Sequence, residues 1–257
     1  MRTNNSIKNI ITTVIMGSLT ILIGFIAQRV FVHTLGLEYL GISGLFTNIV
    51  SMLGMIEMGL GTAIIYHLYK PISENNVTLV KSLLHFYKTS YRLVALAVTV
   101  IGLLIMPFIP YMVGDSSVRI NIFVVYLLFL IDVVLTYLLA YKRSILYADQ
   151  KNYIISFIHI GYTLTVNILQ IIILLTTQNF YLYLFVKIGM HVIENLITNY
   201  MVNKRYPYLA DGETIPLDKQ NKDNVIRNVK AIFIHKFAGF VVLGSDSIII
   251  SIFLGIK

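Results

Sequence analysis

Cysteine and tryptophan are absent from this 257-residue chain, and charged residues make up only 12% of it. Without cysteine there is neither a disulfide framework nor a thiolate metal site. So little charge cannot cover a soluble surface, since an ordinary globular protein carries about twice that fraction. Catalytic signatures are also missing: there is no HExxH, no Walker A loop, no G-x-S-x-G and no paired-Asp motif, so no enzyme is expected. Neither a metal nor an organic cofactor is implied. What fills the chain is apolar, 57% by composition, with a mean hydropathy of +0.79.

The apolar residues fall into about seven runs of roughly 20 or more residues, each long enough for a helical crossing of a bilayer. The expected class is all-α, a polytopic membrane protein. Spans are placed at about 10–32, 40–66, 93–113, 120–141, 153–176, 180–202 and 230–254. Pro107 and Pro110 should kink or end the third, because proline removes a helical hydrogen bond. The first run is too long for a signal-peptide core and lacks a small-residue cleavage site, so it reads as a retained span.

The net charge of +8 is a matter of topology rather than of nucleic-acid binding. Of the 20 Lys and Arg, Arg29, Lys187 and Lys236 lie within spans, and only Arg119 and Lys257 fall on one side. All the others fall on the opposite side, which the positive-inside rule makes cytoplasmic, together with the N-terminus. Residues 1–202 then form a six-helix lobe, 203–228 a cytoplasmic linker of mixed charge, and 229–257 the first helix of a second, truncated lobe. On the cytoplasmic side Lys81, His85, Lys88 and Arg92 recur at i, i+4, i+7 and i+11, one basic face of a helix leading into the third span. It reads either as an anchor for anionic lipid or as a phosphate-contacting entrance.

Ionisable groups at membrane depth are costly and by default mark a path for something polar. In the sixth span Lys187, His191, Glu194 and Thr198 share one face, either as an internal Lys187–Glu194 relay or as a cavity wall. Glu57 is flanked on its face by Gly54 and Gly61, which admit either a closely packed helix or open space. Asp132 is nearly in phase with Asn121 and is either a structural aspartate or a proton or sodium site. Arg29 follows an apolar stripe and lies close enough to a span end to snorkel. Lys236 and Asp246 are about 80 degrees apart at roughly 100 degrees per residue, so both can border one cavity without pairing. The set divides into cations suited to phosphate, namely Arg29, Lys187, His191 and Lys236, and carboxylates suited to ion coupling, namely Glu57, Asp132, Glu194 and Asp246. A transporter is expected.

Residues 31–76, with LEYLG at 37–41, GLF at 44–46 and EMGLG at 57–61, resemble the opening of Wzx-type bacterial polysaccharide flippases. These belong to the multidrug/oligosaccharidyl-lipid/polysaccharide exporter superfamily. KRYPYL at 204–209 and HKFAGFVVLGSDSIIISIFLGI at 235–256 are similar to the stretches after the sixth span and across the seventh. The resemblance implies two six-helix lobes around a cationic cavity. It also implies transfer of undecaprenyl-pyrophosphate-linked oligosaccharide across the plasma membrane for capsule, exopolysaccharide or O-antigen assembly. Implied partners are that lipid-linked substrate, membrane lipids, a second lobe or a second copy, and a polysaccharide polymerase. The alternatives are a drug or cation exporter of the same superfamily and a membrane enzyme acting on polyprenyl-linked sugars.

Overall fold

The computed structural model describes the backbone of residues 2–114, 118–209 and 216–254, and the side chains of 17–114, 118–139, 141–209 and 216–239. Every element among the described residues is helical. In chain order the α-helices are α1 (Arg2–Leu35), α2 (Leu37–Leu53), α3 (Leu60–Ser73), α4 (Val77–Ile105), α5 (Ile109–Val113), α6 (Ile122–Leu139), α7 (Arg143–Ala148), α8 (Asn152–Thr177), α9 (Phe180–Arg205) and α10 (Lys219–Leu254). Six described segments are long and apolar enough to cross a membrane: Gly17–Leu35, Leu37–Glu57, Val77–Val113, Ile122–Leu139, Asn152–Thr177 and Phe180–Arg205. The chain is thus an all-α, multi-pass membrane protein. The expected seventh span lies on α10, mostly outside the residues whose side chains are described.

Helices rather than strands follow from the solvent. In a hydrocarbon layer every backbone N–H and C=O must be satisfied within its own segment. The helix ends are set by local chemistry. Gly36, at φ 98°, makes the tight reversal between α1 and α2. Asn76 and Asn179 cap α4 and α9, their side chains accepting from the backbone N–H of Leu79 and Leu182. This meets one of the donors a helix start leaves unpaired.

α1 packs on α8, α8 on α9, α9 on α6, and α6 on α4, while α2 lies against α1, α6 and α4. The centre is aromatic. The fully buried Phe46 ring meets Tyr126 and Phe129 edge-on, and the Tyr126 hydroxyl donates to the Gly102 carbonyl at 2.8 Å. Outward positions such as Leu22, Phe25, Leu104 and Leu175 are exposed and apolar, as a lipid-facing surface requires. One end of the bundle carries the α1–α2, α5–α6 and α8–α9 connections. The other carries α3, α7 and the α9–α10 connection, and with them most of the basic residues; it is called the basic end below.

Two boundaries differ from the sequence reading. The second span is not continuous over 40–66. α2 stops at Leu53, a 3-10 turn covers Gly54–Glu57, and Gly59 at φ 97° redirects the chain into α3. Glycine reaches that backbone region without the strain other residues incur. The third span agrees with its reading: α4 runs from Val77 through the basic face to Ile105, where Pro107 and Pro110 give a 3-10 turn and the short α5. The segment at 203–228 is not wholly a linker, because α10 begins at Lys219. Asp218 initiates it, its carboxylate accepting from the Asn221 N–H at 3.0 Å, and that hydrogen bonding holds the Asp218 carboxyl below its ordinary range.

Gly59 also fixes how α10 docks, since a Cβ there would lie 2.9 Å from both the Phe233 nitrogen and the Val229 carbonyl oxygen. Gly59→Ala therefore adds a steric clash to about 1–3 kcal/mol of backbone strain. It is expected to lower the unfolding temperature in detergent markedly. Gly24→Ala on α1, where a Cβ meets open space, should leave that temperature unchanged or slightly raised.

Candidate functional site

The polar face of α9 turns inward, between α6 and α8, with Glu194, Asn195 and Thr198 buried. Facing it from α6 is Asp132, also buried. Lys187 Nζ lies 3.1 Å from Asp132 Oδ2, and His191 Nδ1 lies 2.8 Å from Asp132 Oδ1. One turn on, His191 Nε2 is 3.7 Å from Glu194 Oε2. The other oxygen of Glu194 meets His159 Nδ1 of α8 at 3.0 Å and Arg143 Nη2 of α7 at 3.3 Å. The Tyr162 ring stacks against both histidines, with centroids 5.6 Å from His159 and 5.2 Å from His191. Lys187, Asp132, His191, Glu194 and Arg143 thus form one ladder drawn from three helices, with His159 of a fourth at its side.

Charge explains why the ladder holds together. Two carboxylates removed from water are balanced by two permanent cations, Lys187 and Arg143, as buried charges require. His191 is the variable rung between them. Neutral, it has one N–H; protonated, it has two, one at Nδ1 within hydrogen-bond reach of Asp132 and one at Nε2, which at 3.7 Å faces Glu194 as an ion pair. Among the described residues no three His, Asp or Glu side chains converge as metal ligands do.

The ladder joins two cavities. Lys187 lines one of about 340 Å³ between α1, α2, α8 and α9, together with Gln28, Thr47, Tyr162, Asn167 and Gln170. Arg143 lines another of about 330 Å³ towards the basic end, with Glu57, Thr62, Tyr87, Tyr91 and Lys236. In the second cavity the Tyr91 hydroxyl donates to Glu57 and itself accepts from the Tyr87 hydroxyl at 2.8 Å. Lys236 Nζ donates to Thr62 at 3.2 Å. Gly61 leaves room for this group, since a Cβ there would lie 3.1 Å from Glu57 Oε1 and 3.3 Å from the Tyr87 hydroxyl. Of the two glycines expected beside Glu57, Gly54 would place a Cβ 3.1 Å from the Tyr137 hydroxyl of α6, and both Gly54 and Gly61 line the second cavity. The close helix approach falls at Gly59 instead.

The sequence reading is corrected at three points. Lys187 pairs with Asp132, not with Glu194, because α6 inserts its carboxylate at the level of Lys187. Asn121 is no companion of Asp132; it precedes α6 and caps it, accepting from the backbone of Phe123 and Val124 at 3.1 and 3.2 Å. Arg29 is exposed on α1 and lines neither cavity. His191, Glu194, Glu57 and Lys236 fall where the ladder and the second cavity are built. Asp246 lies outside the residues whose side chains are described. On the basic face of α4, Lys88 lies over the Tyr141 ring and Arg92 acts electrostatically on its hydroxyl.

Arg143, His159 and the Tyr87–Tyr91 pair were not singled out. Arg143 sits among the charges that set topology, and only the fold turns it inward. His159 carried a usable signal, being the one basic group in an otherwise apolar span. In comparisons with protein-family models, curated proteins and solved structures, nothing matches this chain. Fold and site together define a multi-pass helical membrane protein with a buried ionic ladder between two polar cavities.

Arg143→Leu would strand Glu194, whose side chain is 1% exposed, at an expected loss of about 3 kcal/mol of stability. The double variant Arg143→Leu/Glu194→Leu should recover most of it in detergent unfolding. Additive losses would contradict the pairing.

Proposed function

We propose that the chain is a flippase, or the N-terminal half of one, that moves undecaprenyl-pyrophosphate-linked oligosaccharide across the bacterial plasma membrane. The resemblance of residues 31–76, 204–209 and 235–256 to Wzx-type flippases supports this. The observation that carries it is Lys187, a cation at membrane depth that lines a polar cavity while resting on an exchangeable carboxylate. A pyrophosphate entering the cavity competes with Asp132 for Lys187, and the released Asp132 is retained by His191. Arg143 and Lys236 provide a second cationic station towards the basic end. A drug or cation exporter would favour a net-negative, aromatic cavity. Glu57, Tyr87 and Tyr91 provide an anion and rings, but Arg143 and Lys236 outnumber that anion.

The basic end faces the cytoplasm in this reading, by the positive-inside rule. The absence of cysteine makes the chain its own background for labelling. Ser73→Cys, at the basic end, should resist a membrane-impermeant maleimide in intact cells, and Thr177→Cys, at the other end, should react. The reverse pattern would overturn the orientation.

For the activity, a strain lacking the gene is complemented with this chain alone and with a chain carrying a second lobe, and surface polysaccharide is measured. The two-lobed chain is expected to restore polymer. Lys187→Ala or Lys236→Ala in it should abolish export at equal expression. Normal polymer in both variants would remove the cavities from the transport path.

A further inference from the structure

At the basic end, where α4, α6 and α9 leave the apolar zone, two lysines flank one ring and an exposed arginine adds its charge. Lys88 Nζ lies 5.6 Å from the centroid of the Tyr141 ring and Lys142 Nζ 5.9 Å from the same centroid. Arg92, one turn along α4 from Lys88, is near enough to act electrostatically on the Tyr141 hydroxyl. Lys142 is anchored from the far side, donating to Asn203 Oδ1 of α9 at 2.6 Å. Among the described residues no carboxylate pairs with Lys88, Arg92 or Lys142, whereas Lys70, Arg143, Lys151 and Lys187 each have one. The lack of a counter-ion is felt within the cluster: burial, and then Lys88, pull the Lys142 ammonium below its ordinary range. Lys204 and Arg205, in the last turn of α9, add positive charge beside Asn203.

We infer that Lys88, Arg92 and Lys142, arranged around Tyr141, form a binding site for the phosphate of an anionic lipid headgroup. Like charges held together at a half-buried position gain most from a shared anion, and phosphate accepts from several donors at once. The level is that of a headgroup, since α6 ends at Leu139 and α9 at Arg205. Tyrosine beside lysine is the usual furniture of a membrane interface, with the ring in the headgroup layer. The anionic surface of the cytoplasmic leaflet supplies the ligand. In that last respect the inference rests on the proposed orientation, though not on the proposed substrate.

The site is tested by native mass spectrometry of the purified chain, released from detergent with phosphatidylglycerol, phosphatidylcholine or inorganic phosphate. Detergent has no leaflets, so the outcome is independent of orientation and of transport. Wild type should bind phosphatidylglycerol in preference to phosphatidylcholine. Lys88→Gln/Arg92→Gln should weaken it about 30-fold, at about fivefold for each cation removed near a membrane surface. Among the described residues neither side chain has a hydrogen bond or ion pair, so the variant should unfold like wild type. Arg119→Gln, at the opposite end, should bind as wild type does. Equal affinity for the two lipids, or an unchanged affinity in the double variant, would overturn the site. Displacement of the lipid by an equal concentration of inorganic phosphate would assign the cluster to free phosphate instead.

Discussion

Two carboxylates buried at membrane depth govern this structure. Asp132 on α6 and Glu194 on α9 cannot stay charged in an apolar surround unless cations and donors meet them. The chain brings those partners from α7, α8 and α9, with Lys187 and His191 on Asp132, and His191, His159 and Arg143 around Glu194. Apolar helices slide past one another with little penalty in lipid, so a polar cluster of this kind sets which faces meet and at what level. The short α7 owes its place against α8 and α9 to such a tie, because Arg143 stands at its first position.

The same cluster links fold to function. Its ends open into different cavities, Lys187 into one and Arg143 into the other, and its middle rung is a histidine whose donor count changes with one proton. Under the proposed function, a substrate anion that takes Lys187 would disturb Asp132 directly, then His191, then Glu194, and so reach Arg143 along the ladder. The second cavity lies at the break between α2 and α3. There the glycines at 54, 59 and 61 hold Glu57 at a turn rather than within a helix, and α10 rests on Gly59.

The spans were legible because hydropathy is a summed property: a run of 20 apolar residues survives a few exceptions. The kink at Pro107 and Pro110 was equally plain, since proline acts locally. The break at Gly54–Gly59 was hidden, as hydropathy runs on unchanged through Met55, Ile56, Met58 and Leu60, and only backbone geometry marks the turn. The inward face of α9 could be read from the spacing of Lys187, His191 and Glu194, but not the identity of its partners. Whether Asp132 meets Lys187 depends on how α6 is set against α9, which no local pattern encodes. Arg143 was obscured for a related reason, because a charge just beyond a span end looks like a topology signal until a tertiary partner claims it.

The central claim is that a substrate pyrophosphate and Asp132 compete for Lys187. It is tested most directly by titrating a polyprenyl-pyrophosphate oligosaccharide against wild type, Asp132→Asn and Lys187→Met in detergent. Competition predicts shifts of opposite sign, with tighter binding when the carboxylate is neutralised and weaker binding when the ammonium is removed. Weakening of similar size in both variants, or no change in either, would contradict it.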